Sequence, residues 1–401
     1  MLLEKSFIPY GAYWSTPYAR WQGALSALHS IRLAAAVSTD ELARREIDAN
    51  TIGAGILGAT VIQQHCFFGL PWLGGLIGAD ELAGPTINQA CATSARCIIS
   101  AAETVSCDGT DSVLIVTADR TSNGPHIYHP EPNGPGGTGQ HEDWVLDNFN
   151  YDPHGRTDML QTAENVAAKW EISTAEQHDV VLRRYEQYEA ALADDCAFQR
   201  RFMTLPFEVP DPRFRKTVTT LTTDEGVIPA IPENLARLKP VREGGTVTYA
   251  GQTHPADGNT ALIVTNEDKL ADYTRQPEIK IRVIGYGQGR AEKSFMPVAP
   301  VLSTRRALES SNLDLSDVDA IKSHNPFAVN DIVFARETGA DLNAMNNNGC
   351  SLIYGHPQGP TGLRACIELI EELVERGGGI GLFNGCAAGD SAISLLFRVG
   401  D

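Results

Sequence analysis

Cys91 stands in Thr86-Ile-Asn-Gln-Ala-Cys-Ala-Thr-Ser, a run of small residues leading directly into a helical segment. A thiol at a helix amino terminus meets free N–H groups and the positive end of the helix dipole. Both lower its pKa and favour the nucleophilic thiolate. A cysteine in such a stretch, taken alone, is more often a packed structural residue. His356 sits in Gly355-His-Pro-Gln-Gly-Pro-Thr-Gly, a tight turn before a second helix, where an imidazole could take the Cys91 proton or simply cap the helix. Cys386, in Phe383-Asn-Gly-Cys-Ala-Ala-Gly-Asp, lies in a small-residue turn that suits either an acid/base thiol beside oxyanion-binding N–H groups or a packed cysteine. His324 and Asn325 follow a strand-like run over 318–322 and are placed to line a site or to form an ordinary turn before Pro326.

These residues need elements to hold them. The runs 112–117 (SVLIVT), 261–265, 279–284 and 379–383 read as buried strands, apolar on both faces, and 93–106, 174–192, 301–310 and 361–376 read as helices. Their alternation predicts an α/β architecture. A Pro/Gly/His-rich run from 123 to 139 is expected to be a long loop, opening an insertion over about 121–245 that covers one face of the core. The helix-then-strand pattern around Cys91 and 113–116 recurs around 358–364 and 380–383, and Asp257-Gly-Asn-Thr-Ala resembles Ala388-Gly-Asp-Ser-Ala. Two similar halves are the economical explanation.

The chain has 401 residues, 42% of them hydrophobic, and 32 Lys and Arg against 50 Asp and Glu give a net charge of −18. This balance argues against a nucleic-acid binder. Eight scattered cysteines with no CxxC pair exclude a zinc ribbon and suggest a reducing compartment. No metal is expected. The amino terminus, charged at Glu4 and Lys5, does not read as a signal peptide, and no apolar run is long enough for a membrane span. A cytoplasmic protein is expected. The Gly285-Tyr-Gly-Gln-Gly-Arg run has the wrong spacing for a nucleotide loop.

Together these motifs resemble the thiolase superfamily over nearly the whole chain. The Cys91 segment is similar to the family's nucleophile motif, Thr162-Ala-Glu-Asn-Val to a stretch of its loop domain, and Ala256-Asp-Gly to its Asn-Asp-Gly-Ala. Gly355-His-Pro-Gln-Gly-Pro-Thr-Gly resembles its Gly-His-Pro-x-Gly-Ala-Ser-Gly, and Cys386 falls where its second cysteine falls. The resemblance implies a five-layer α-β-α-β-α fold: an N-terminal half (1–120 and 247–272), a loop domain (121–246) and a C-terminal half (273–401). It also implies Claisen chemistry on coenzyme A thioesters, with no covalently bound cofactor and coenzyme A as substrate. Cys91 would be acylated, His356 would activate it, Cys386 would move the second proton, and the N–H groups of Cys91 and Ala388 would hold an oxyanion.

Departures from the pattern shape the remaining expectations. The family's Asn-Glu-Ala-Phe is here His324-Asn325-Pro326-Phe327, so His324 takes the first oxyanion role, with Asn325 beside it. Thr253 replaces a pantetheine-contacting serine, Met159 is retained, and Phe327 joins them against the substrate. The basic stretch 200–216, with Arg213, Arg215 and Lys216, is expected to meet the nucleotide end. The opening Phe7-Ile-Pro-Tyr-Gly-Ala-Tyr-Trp-Ser and the altered motif resemble a divergent branch, some members of which pair with a small zinc-ribbon/OB-fold subunit. That branch implies cleavage of an aromatic or dicarboxylic acyl group such as benzoylsuccinyl-CoA, by a homodimer or dimer of dimers. The alternatives are a non-catalytic acyl-CoA-binding or scaffold subunit, or a condensing thiolase or ketosynthase.

Overall fold

The computed structural model describes residues 3 and 5–400; the charge at Glu4 and the terminal residues of the expected domain ranges lie outside them. The first half holds β1 (Tyr13–Ser15), β2 (Ala19–Arg20), α1 (Ser30–Arg44), β3 (Ala54–Gly58), α2 (Gly69–Leu76), β4 (Thr86–Ile87), α3 (Thr93–Ser106) and β5 (Ser112–Arg120). The insertion follows with β6 (His126–Pro130), β7 (Gly139–Asp143), α4 (Leu146–Asn150), α5 (Met159–Lys169), α6 (Thr174–Ala191), α7 (Ala193–Cys196), β8 (Phe207–Pro210), β9 (Thr217–Leu221) and α8 (Pro232–Leu235). Next come β10 (Ala256–Thr265), α9 (Leu270–Tyr273), β11 (Ile281–Arg290), α10 (Ala299–Ser311), β12 (Ala320–His324), α11 (Ala328–Thr338), α12 (Ser351–Tyr354), α13 (Gly359–Glu375), β13 (Gly379–Ala387) and β14 (Ser391–Val399).

The first sheet runs β1-β10-β5-β3-β4 and the second β11-β14-β13-β12. Between them lie α3 and α13, which pack on each other and on strands of both sheets. Helix α13 is buried from Gly359 to Leu373 because it has no solvent face. Helices α1 and α2 cover the first sheet and α10 the second, completing five layers. Strand β10 is buried at all ten positions, as a strand covered on both faces must be. The Gly285 run is the interior of β11: a Cβ on Gly287 would stand 2.2 Å from the Ser303 carbonyl oxygen, so glycine here lets α10 lie close on the strand.

The Pro/Gly/His-rich run is not wholly loop. Its two ends pair as the exposed hairpin β6–β7, and the prolines and glycines concentrate in the connection between them. The rest of the insertion is tied down on both halves. Helices α5 and α6 share an apolar cluster with α11, while the β8–β9 hairpin buries Phe207 and Val209 in the large core cluster that the first half shares with α13 and the second sheet. Buried ion pairs fix these contacts: Arg184 of α6 reaches Asp331 of α11 at 2.9 Å, and Asp224 receives Arg364 of α13 through two bonds of 2.6 and 2.8 Å. Paired and hydrogen-bonded on both sides, such groups are costly to break singly. No helix among the described residues is long and apolar enough to cross a membrane.

Candidate active site

Short β4 turns directly into α3 and leaves Cys91 just before the helix. Ala90 is held at a φ of 47°, and the Thr93 hydroxyl bonds the Ala90 carbonyl at 2.7 Å. The thiol is thereby presented at the α3 amino terminus. Segment 252–256 then draws two distant loops together. Thr253 N–H donates to the Pro326 carbonyl at 2.7 Å, and His356 N–H donates to the His254 carbonyl at 2.9 Å. The parallel pair β12–β13 places His324 opposite Gly385, one residue before Cys386. Four separate segments therefore converge at one point.

His356 Nε2 stands 3.2 Å from Cys91 Sγ, and its Nδ1 stands 2.6 Å from Thr361 Oγ1. If Nδ1 carries the hydrogen and donates to Thr361, Nε2 is free to accept the thiol proton. The His324 ring lies 4.1 Å from that of His356, centroid to centroid. Its Nδ1 is 2.9 Å from Ser351 Oγ, while its Nε2 is buried with no partner. The Ser351 hydroxyl has two acceptors within reach, His324 Nδ1 at 2.9 Å and Asn325 Oδ1 at 3.2 Å, and Asn325 Oδ1 also accepts the Leu352 N–H at 3.2 Å. When that hydroxyl turns to His324, the nearer of the two, the ring carries its hydrogen on Nε2, as an unused donor in the site. In that arrangement the two histidines take opposite tautomers, one a base and one a donor.

Burial pushes the Cys91 thiol up to about 11, against the opposing N–H groups of Ala388 and of Cys91 itself. This corrects the expectation of a thiol lowered by the helix: desolvation outweighs the dipole. Burial holds His324 down at about 3, and burial with the neighbouring His324 holds His356 well below the usual histidine value. The resting dyad is a neutral thiol facing a neutral imidazole. Cys386 is pushed up by burial and by Cys91, and its sulfur accepts from Asn330 Nδ2 at 3.3 Å. It is a proton donor at rest. Cys91 Sγ and one nitrogen of each histidine lie within 4.8 Å of one another, a clustering that acid–base chemistry accounts for; no other such group of His, Cys, Asp and Glu occurs among the described residues.

A cavity of about 760 Å³ opens over the nucleophile, lined by Cys91, His356, Ala388, Met159, Thr253 and Phe327 among others. His324 and Cys386 are buried immediately behind its wall. Four other expected residues lie outside that wall. The Asn325 side chain is not in the cavity wall: it donates to Asp331 at 2.8 Å and to Cys350 Sγ and accepts from the Ser351 hydroxyl and the Leu352 N–H, so it positions the His324 loop. Arg213, Arg215 and Lys216 also lie outside that wall. They occupy the β8–β9 turn, where Phe214 sits under the Arg32 guanidinium of α1 and Asp211 accepts the Arg215 N–H. The anchoring of that hairpin in the large core cluster holds them there. Arg242 reaches the cavity rim, where it pairs with the wall residue Asp158.

Sequence reasoning did not single out Thr361, Ser351, Asn330 or Gln358. Thr361 and Gln358 belong to the His356 motif, but nothing local marks Ser351 or Asn330.

Known proteins match along the full length. The family models "Thiolase, N-terminal domain" and "Thiolase, C-terminal domain" match residues 12–268 and 277–399. The chain is 28% identical to the beta-ketothiolase BktB of Cupriavidus necator over 96% of each chain. The crystal structure of human mitochondrial 3-ketoacyl-CoA thiolase superposes with a TM-score of 0.89 at 27% identity, covering 99% of this chain and 100% of that one. A structure of that human enzyme in complex with CoA gives 0.87 at 26% identity, covering 100% and 99%. Two matching domain models in order, a shared five-layer architecture and a Cys–His dyad at the meeting of the halves lead to one conclusion: the chain belongs to the thiolase family, a family of acyl-transferring enzymes.

Proposed function

We propose that the protein cleaves a 3-oxoacyl-CoA with coenzyme A through an acyl–Cys91 intermediate. The observation that carries this reading is the single sulfur of Cys91, met by the His356 base at 3.2 Å and by the Ala388 N–H. His356 Nε2 takes the thiol proton as the sulfur attacks the 3-oxo carbon. The N–H groups of Cys91 and Ala388 receive the resulting oxyanion. The bond between carbons 2 and 3 then breaks, its electron pair moving into the thioester as an enolate that accepts from His324 Nε2–H. Cys386 delivers its proton to carbon 2, and acetyl-CoA leaves. Coenzyme A passes its thiol proton to Cys386 and attacks the acyl group, and Cys91 departs as thiolate and recovers its proton from His356.

The wall supports a bulky, uncharged acyl group. Trp144, Phe149, Tyr151, Met296 and Phe327 line it, as do Asp152 and Asp158, whereas no Lys or Arg does among the described residues. A free carboxylate on the acyl chain would meet acidic groups in the wall, and the rim cation Arg242 is already paired with Asp158, so an aromatic substrate fits better than a dicarboxylic one. Retention of Cys386 favours cleavage over the ketosynthase alternative. Exposed Phe67 and Phe68, beside the sheet-edge strand β4, support assembly with a second copy; a small partner subunit and a cytoplasmic location complete the reading.

The test is thiolysis over a panel of 3-oxoacyl-CoAs with straight alkyl, aryl and carboxylate-bearing acyl groups. Aryl substrates are expected to show the highest kcat/KM, with Cys386→Ala about a hundredfold or more slower on each, the scale of a lost general acid. No turnover of any substrate would favour the non-catalytic alternative. A preference for the carboxylate series would refute the acyl assignment.

A further inference from the structure

Gln358 touches the nucleophile, yet neither the dyad nor the oxyanion donors use it. It is 7% exposed, lines the cavity, and places Oε1 3.4 Å from Cys91 Sγ. Its Nε2 is buried and has no partner. Its backbone sits at φ 66° and ψ −106°, a conformation that non-glycine residues keep only where the surroundings enforce it. Those surroundings are visible at the next residue: Asp119 accepts the Gly359 N–H at 2.8 Å, and Ser94 of α3 bonds the Gly359 carbonyl. The backbone that carries the amide is therefore held in place by β5 and α3.

Cys91 has one S–H and two acceptors, His356 Nε2 and Gln358 Oε1. A proton aimed at Gln358 is off the line to His356. Once the proton has moved, a thiolate facing an amide oxygen is repelled. A half-turn of the terminal amide about its soft torsion brings the NH2 to the sulfur instead. That arrangement gives the orphaned donor a partner and frees the S–H for His356. The group then left without a partner is a carbonyl oxygen, the more readily tolerated orphan.

We propose that Gln358 is a further catalytic residue whose side-chain N–H donates to Cys91 Sγ and stabilises the thiolate that attacks substrate. This rests on the reading of Cys91 as the nucleophile. No bond changes at Gln358; the thiol proton passes to His356 as before. The donor opposes the desolvation that otherwise disfavours the thiolate, as a charge-assisted hydrogen bond should. The titratable groups facing the sulfur are His356, His324, Cys386 of β13 and Asp119 of β5, and substitution at 358 leaves all four in place.

The experiment is iodoacetamide alkylation of the full chain between about pH 6 and 10, read on the Cys91 peptide by mass spectrometry, for wild type, Gln358→Met and Gln358→Glu. Gln358→Met is expected to alkylate about tenfold more slowly at a given pH, equivalent to a rise of one pKa unit. Gln358→Glu, with a carboxylate beside the thiolate, is expected to be slower still. It is isosteric with the native side chain, so its profile decides the matter if Gln358→Met disturbs the fold. Variant profiles that superimpose on wild type overturn the role of Gln358. Alkylation needs no acyl-CoA, so that result leaves thiolysis standing, whereas failure to acylate Cys91 overturns thiolysis and leaves the alkylation profiles to be read on their own.

Discussion

His356→Ala is expected to lower kcat/KM for thiolysis about a thousandfold, within the range by which a positioned general base accelerates proton transfer. With the Cys91 thiol pushed up to about 11, almost none of it is thiolate near neutral pH unless Nε2, 3.2 Å away, accepts the proton as attack begins. The loss should fall on kcat, because the cavity wall that holds the acyl chain is otherwise unchanged. Stopped-flow acylation and steady-state thiolysis of the variant check it. A loss below tenfold would mean that another group takes the proton.

His324→Ala should remove the Nε2–H donor and lower kcat by about a hundredfold to a thousandfold, the effect of losing one oxyanion donor. His324→Asn, which supplies a side-chain N–H, is expected to recover part of the loss. The same substitution carries a stability signature. The folded-state pKa of His324, about 3, is depressed from 6.5, so below pH 6.5 the unfolded chain binds a proton that the folded chain refuses. Stability is full above that pH and is lost as the pH falls towards 3; at pH 5 the deficit from this group is about 2 kcal/mol. His356, depressed in the same direction, remains in the variant. The drop in Tm between pH 7 and 5 should therefore shrink in His324→Asn without vanishing. An unchanged drop would show that His324 is not held neutral by burial.

What was legible in the sequence follows from where each signal resides. Helix α3 and helix α13 read clearly because their small-residue entries and apolar spacing are local. Strand β10 was recognised only in its second half: Asp257 and Asn259 look like loop residues, yet both are buried and paired in the sheet. Cys91 and His356 were visible because each sits in a small-residue or glycine-flanked turn that opens a helix, and the two motifs together resemble one family's pattern. The side Asn325 takes was not legible: neighbouring residues at a strand end point to opposite sides, so His324 faces the site and Asn325 turns to Asp331. Arg213 and Arg215 lie away from the cavity wall, a placement that charge density along the chain cannot give because it says nothing of the apolar anchors on the same hairpin. Here Phe207 and Val209 decide where the turn lies. Ser351 and Asn330 reach their partners across 27 and 56 residues, a purely tertiary coincidence. The pKa of Cys91 moved against expectation because the helix dipole is local while desolvation depends on the whole covered site.

The central claim is that Cys91 carries the acyl group. Incubating the protein with a 3-oxoacyl-CoA in the absence of free coenzyme A, then mapping the peptides by mass spectrometry, tests it most directly. The account predicts an added mass equal to the acyl fragment on the Cys91 peptide, absent in Cys91→Ala and discharged when coenzyme A is added. An acyl group found on any other cysteine, or bound substrate with no adduct at Cys91, would contradict it.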